Sequence, residues 1–207
     1  MNKILLSAIL TAFVLIFTAN IHAQDRHFGI KGGGAAYQMT SEFGGVSSTS
    51  EPKVGFAAGI YGDFPINRIL SIQPEVVFVQ KGGEESNSSV GTSSITLNYV
   101  DVPLLLKINA PLEGNFKPYI FGGPYAGYLV DASSEADGNS VDINELLEEL
   151  HYGLKVGVGI RLGNIVVDAR YDMGYADIYA EDVDFGGGDA DVKLLTEGII
   201  ISVGIAF

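Results

Sequence analysis

Between residues 152 and 175 two runs of strict alternation are joined by a two-residue link, and this stretch limits the chain more than any other. Successive side chains of a strand point to opposite faces. Tyr152, Leu154, Val156, Val158, Ile160 and Leu162 therefore share one face, and Gly153, Lys155, Gly157, Gly159 and Arg161 share the other. After Gly163 and Asn164 the period resumes, with Val167, Ala169, Tyr171, Met173 and Tyr175 opposed to Asp168, Arg170 and Asp172. The pattern predicts a tight antiparallel hairpin with one greasy and one ionic face. Two opposite architectures can use it. A soluble sandwich or lipocalin-like barrel buries the aliphatic row, whereas a membrane barrel turns that row to lipid and keeps the ions in its lumen.

The N-terminus favours export. Lys3 precedes an uncharged apolar run from Ile4 to Thr18, and Ala23 closes a small-residue site before Gln24. This is the layout of a secretory signal peptide over residues 1–23, leaving one domain over residues 24–207. Nothing after residue 23 approaches the twenty or so apolar residues of a spanning helix, so any crossing must use strands. The chain has no cysteine, so packing and backbone pairing must hold the fold without disulfides. With Lys3 removed, 25 acids face 11 bases, a net charge of −14 that argues against a nucleic-acid partner.

Alternating runs recur along the chain, and eight strands are expected. They cover residues 27–38, 53–64, 69–81, 95–108, 117–130, 152–162 and 165–175, with a last one ending at Phe207. Pro74 lacks a backbone N–H and predicts a bulge or an unpaired position. Ile95 and Leu97 fall out of phase with Val100, Val102 and Leu104, which predicts a bulge near Asn98. Residues 117–130 carry aromatics on both parities, so the facing of that strand stays open. Ser140, Ile143, Leu146, Leu147 and Leu150 have helical spacing, with Ser140 as N-cap, and either a short loop helix or irregular structure fits. Connections alternate long and short, as do the outer loops and periplasmic turns of transmembrane barrels. Strands of about ten residues suit a tilted crossing. The reading is all-β, an eight-stranded antiparallel up-and-down transmembrane barrel with its lumen filled by side chains.

Several segments strengthen that reading. Gly29-Ile30-Lys31-Gly32-Gly33, Ile72-Gln73-Pro74-Glu75, Gln80-Lys81-Gly82, Tyr99-Val100-Asp101-Val102-Pro103, Lys117-Pro118-Tyr119, Gly123-Pro124-Tyr125, Asp168-Ala169-Arg170-Tyr171 and the terminal Phe207 occur in order along the chain. Together they resemble the PorT-like family of outer-membrane barrel proteins. The resemblance implies an eight-stranded barrel in a Gram-negative outer membrane, and it implies no reaction. Phe207 also resembles the terminal aromatic by which the outer-membrane assembly machinery recognises its substrates. Outer-membrane lipid and that machinery are thus expected partners.

The inward parity should carry Lys31, Lys53, Lys81, Lys107, Lys155, Arg161 and Arg170 with Asp63, Glu75, Asp101, Asp168 and Asp172. Seven bases against five acids should pair and plug a lumen this narrow, although a proton or ion path through it is the functional alternative. Glu197 shares the parity of Ile199 and belongs at the interface. The acid excess lies in the long loops. There Asp182, Asp184, Asp189 and Asp191 are weak calcium candidates. They depart from an EF-hand loop at Gly186, where a third oxygen ligand belongs, and at Lys193, where the bidentate Glu should be.

Catalysis finds little support. Neither a G-x-S-x-G elbow nor a correctly spaced dinucleotide fingerprint occurs, and Gly157 and Gly159 lie in a strand, where they relieve crowding. His151 beside Asp177 or Asp182 is the sole dyad candidate. The expectation is therefore a non-enzymatic protein without cofactor, in a structural, adhesive or assembly role. A binding module or secretion-system component acting through acidic loops is the alternative, and a loop-borne hydrolase is the remaining one.

Overall fold

The computed structural model describes residues 27–43, 46–87, 91–136, 139–144, 147–175 and 192–207. Among these, ten strands form one antiparallel sheet. They are β1 (His27–Phe43), β2 (Val46–Thr49), β3 (Glu51–Pro65), β4 (Leu70–Asn87), β5 (Gly91–Asn109), β6 (Phe116–Ala136), β7 (Asn139–Asp142), β8 (Leu150–Leu162), β9 (Ile165–Gly174) and β10 (Val192–Ala206). The sheet runs β1, β3, β4, β5, β6, β8, β9, β10, and β10 then pairs β1 from Gly29↔Ala206 to Phe43↔Val192. That last pairing closes an eight-stranded barrel and removes every edge along the shared wall. The short strands β2 and β7 only extend β1 and β6 at the long-loop end.

Turn chemistry explains the other end. Asn67 Oδ1 accepts the backbone N–H groups of Ile69 and Leu70 at 2.8 Å each, which folds β3 back into β4. Gly163 takes φ 61°, a left-handed conformation open to glycine, and the β8–β9 hairpin turns there with Leu162 opposite Ile165.

Facing follows the parity. Val158 and Ile201 are 57% and 59% exposed on the outside, whereas Lys155 and Asp101 are 1% and 0% exposed on the inside. The aliphatic rows thus point away from the barrel axis, and the soluble lipocalin-like rival is excluded. Phe28, Phe116 and Phe207 rim the apolar band at the turn end, and Tyr128, Tyr152, Tyr171 and Tyr175 rim it at the loop end, the two aromatic girdles of a bilayer-spanning wall. Above the upper girdle the outward face turns polar. Gln38 Nε2 donates to Glu197 Oε1 at 2.5 Å, the Tyr171 hydroxyl donates to the same carboxylate, and Asn98 Nδ2 donates to Asp131 Oδ2 at 3.1 Å.

The structure revises or sharpens the sequence expectations at four places. Strands β1, β4, β5 and β6 run well past the ends set by alternation, because the apolar period stops at the hydrocarbon edge while backbone pairing continues above it. Of the two readings left open after Ser140, the helix does not form over the described residues. Ser140 pairs with Glu135 in β7, Ile143 N–H donates to the Ala132 carbonyl at 3.1 Å, and Leu147 is buried. The leucine spacing serves insertion of Leu147, with Ile143 packed beside it, into an apolar cluster. Pro74 produces no bulge, the β3–β4 register being the same at Tyr61↔Glu75 and Phe64↔Ile72, but it has no partner on β3, the unpaired position that its missing N–H predicts. The bulge at Asn98 exists, but the extra residue belongs to β6, where Leu129 pairs with Tyr99 and Asp131 with Asn98. Leu97 stays on the inward parity and is buried.

Candidate functional site

The lumen is the site that the fold builds, and it is stratified. At the loop end Tyr37, Met39, Val77, Val79, Leu97, Tyr99, Leu129 and Leu147 pack into one apolar cap. Burying such side chains contributes roughly 1.5–3 kcal/mol each, so this cap is a substantial share of the fold's stability. The sequence hid it: Leu97 on β5 reads as out of phase when the inward face is assumed to be ionic throughout.

Beneath the cap lies the first ionic layer. Lys155 Nζ donates to Asp101 Oδ2 at 2.9 Å and also to Asp172, and Lys81 Nζ lies 3.1 Å from Asp101 Oδ2. The Tyr37 hydroxyl donates to Asp172. Aromatic faces receive the same cations, with Lys81 4.8 Å from the Tyr99 centroid and Lys155 4.0 Å from that of Tyr125. The second layer centres on Glu75. It accepts from Lys31 at 2.5 Å, Gln73 at 2.7 Å and Arg170 at 2.8 Å, while Arg170 reaches Asp168 at 3.0 Å and Ser202 Oγ donates to Asp168 Oδ1 at 2.8 Å. Nearer the turns, Lys107 Nζ donates to Asp63 Oδ2 at 2.7 Å and sits 4.0 Å from the Tyr119 centroid.

These layers bring together ten of the twelve ionic residues placed inside by parity. Lys31, Lys81, Lys107, Lys155 and Arg170 meet Asp63, Glu75, Asp101, Asp168 and Asp172, a buried set of zero net charge among the described residues. Buried charges persist only when paired and hydrogen-bonded, since each ion otherwise forfeits several kcal/mol of hydration. The two surplus cations lie elsewhere. Lys53 is at the loop-end mouth, donating to Thr96 Oγ1 at 2.6 Å and Ser94 Oγ at 3.0 Å. Arg161 is half-buried at the turn-end mouth.

Glycines make room for the aromatic collar. A Cβ on Gly157 would lie 2.4 Å from the Phe121 ring, and one on Gly159 would lie 2.4 Å from that of Tyr119. Bare backbone there lets inward rings of β6 lie flat against β8. The facing of β6 thus resolves, with Tyr119, Phe121 and Tyr125 inside and Phe116, Ile120 and Tyr128 outside. Lys117 falls on the same inward parity, a lumen cation that the ambiguous aromatic pattern concealed.

His151 is fully buried. Its ring stands 5.0 Å from that of Tyr99 and 5.1 Å from that of Tyr125, and Nε2 is 3.0 Å from the Tyr125 hydroxyl. Its Nδ1 has no hydrogen-bond partner, and Asp101 approaches it across Gly127, which pairs with both residues. The dyad partners Asp177 and Asp182 lie outside the described residues, as do the calcium candidates Asp182, Asp184, Asp189 and Asp191. Among the described residues no group of three His, Cys, Asp or Glu side chains could hold a metal ion. Phe207 follows β10 at the turn-end rim, 71% exposed, its N–H donating to the Phe28 carbonyl at 2.7 Å.

Comparison with known proteins agrees with this geometry. The family profile described as outer membrane protein beta-barrel domain matches residues 22–180. Among solved structures the chain is similar to Neisserial surface protein A (NspA), with a TM-score of 0.50 at 16% identity, covering 89% of this chain and 100% of that one. It is also similar to OprG from Pseudomonas aeruginosa, with a TM-score of 0.49 at 13% identity over 87% and 95% of the two chains. Ail, the attachment invasion locus protein of Yersinia pestis, gives a TM-score of 0.47 at 16% identity over 89% and 100%. No curated protein matches the sequence. At 16% identity the likeness to NspA is one of fold alone.

Proposed function

The chain belongs to the outer membrane protein beta-barrel domain family and resides in the outer membrane, and from that premise we propose that it is a closed, non-enzymatic barrel with a structural, adhesive or assembly role at the cell surface. The observation that carries this reading is the neutral set of five cations and five carboxylates under an apolar cap. Together they fill the described lumen with paired ions and packed apolar side chains. Fold alone does not decide chemistry, which depends on the groups the lumen presents. His151 is fully buried between Tyr99 and Tyr125. Reconstitution into planar bilayers should give no steady conductance step of porin size, and such a step would refute the closed lumen.

What the barrel presents outward supports a second reading within the same frame. Strands β4, β5 and β6 rise past the upper tyrosine girdle as a paired ribbon, with Glu84, Asp131 and Glu135 at its described end. A surface or secretion-system partner recognised through that ribbon and the acidic loops fits this shape, in keeping with the PorT-like resemblance. We place the mature N-terminus at Gln24, since β1 begins at the periplasmic rim only three residues later. The intact mass of protein purified from the outer membrane should then match residues 24–207, and retention of residues 1–23 would refute the cleavage.

A further inference from the structure

The periplasmic mouth of the lumen holds a charge arrangement that the layers above it do not. Lys117 and Arg161 are direct register partners on β6 and β8, both on the inward parity and both half-buried. Like charges placed opposite one another repel. Among the described residues neither has an ion-pair or hydrogen-bond partner, because Asp63 is engaged by Lys107 and Asp168 by Arg170, Lys31 and Ser202. Beside them stand Tyr61 and Tyr119, 5% and 4% exposed, whose hydroxyls are buried and unpartnered. Tyr119 occupies the space over Gly159, two register pairs inward from Lys117 and Arg161, and Tyr61 occupies the space over Gly29 and interacts electrostatically with Arg161. The second oxygen of the Asp63 carboxylate, Oδ1, is also buried without a partner.

A buried hydroxyl or carboxylate oxygen left without a partner is unfavourable, so three such groups beside two unpaired cations have the donors, acceptor and charge to hold a protonated anion. Lys107, Lys117 and Arg161 against Asp63 leave a charge of +2. We propose that the periplasmic mouth of this lumen binds hydrogen phosphate, with Arg161 and Lys117 neutralising the dianion, Tyr61 and Tyr119 donating to its oxygens, and Asp63 Oδ1 accepting from its P–OH. The last contact sets the specificity. Sulfate has the same shape and charge but no proton at neutral pH, and it would set two acceptors against each other at Asp63.

The test is calorimetric titration of the full-length protein in detergent micelles, at pH 7 and low ionic strength, with inorganic phosphate or sulfate. One saturable phosphate site is expected, with sulfate at least about tenfold weaker and phosphate binding weakened at least about tenfold by Arg161→Gln. Tyr119→Phe, which keeps the ring and removes the hydroxyl, should also weaken phosphate binding. Glu51→Gln at the opposite end should not change it. Heat-modifiable gel migration verifies folding of each variant, and Lys117→Gln serves in place of Arg161→Gln should the latter not fold. Absence of a saturable phosphate site, equal affinity for the two anions, or unchanged binding in the folded cation variant would overturn the proposal.

Discussion

Replacing Arg170 with leucine is expected to destabilise the folded barrel by about 3–5 kcal/mol, because it strips the guanidinium from two carboxylates in a dry lumen. Glu75 would keep Lys31 at 2.5 Å and Asp168 would keep the more distant Lys31 contact at 3.5 Å, so one ammonium would have to serve two buried anions. Unfolding by urea in lipid vesicles, followed by loss of heat-modifiable gel migration, gives the measurement. The diagnostic variant is the double replacement Glu75→Leu with Arg170→Leu. It restores neutrality by leaving Lys31 facing Asp168, and it should fall well short of the sum of the two single losses. Additive losses would mean that the two side chains do not act as one pair, and the layered account of the lumen would fail.

Val203→Arg probes the opposite face and should cost about 2–4 kcal/mol in the same assay. Val203 lies mid-way along the outward row Ile199, Ile201, Val203, Ile205 and Phe207 on β10, opposite Gly32 on β1 and Val167 on β9. No carboxylate is its register partner on either side, so the guanidinium would face hydrocarbon. Glu51→Arg at the exposed loop end makes a matched control and should stay within about 0.5 kcal/mol of the parent. A Val203→Arg variant as stable as the parent would place that row in water.

Inside and outside were legible where the lumen is ionic. Lys155, Asp168, Arg170 and Asp172 alternate with aliphatic residues, and a period of two leaves no third option once the barrel closes. The terminal phenylalanine and the alternation of long and short connections chose between the two barrel types before any side chain was placed. The lumen was less legible at its upper end, since Leu97, Val77 and Val79 point inward although their chemistry suggests lipid. There the narrow barrel builds a protein-like core, and Leu147 from the β7–β8 segment completes it. Strand length was hidden for a related reason. Above the bilayer the ladder from Gly82↔Thr96 to Asn87↔Gly91 needs backbone pairing but no apolar period, so Ser- and Gly-rich sequence folds as strand and reads as loop.

The sequence by itself determined that eight amphipathic strands wind into a wall with opposite faces of opposite polarity, because alternation is a local property of each strand and survives without knowledge of its neighbours. Only the tertiary structure decided which charges meet. Glu75 and Arg170 are 95 residues apart in the chain, and Asp101 and Lys155 are 54 apart. Such pairs depend on strand register and stagger around the closed wall, which no single strand encodes. The same closure left Lys117 and Arg161 facing each other at the periplasmic mouth, neither in an ion pair among the described residues.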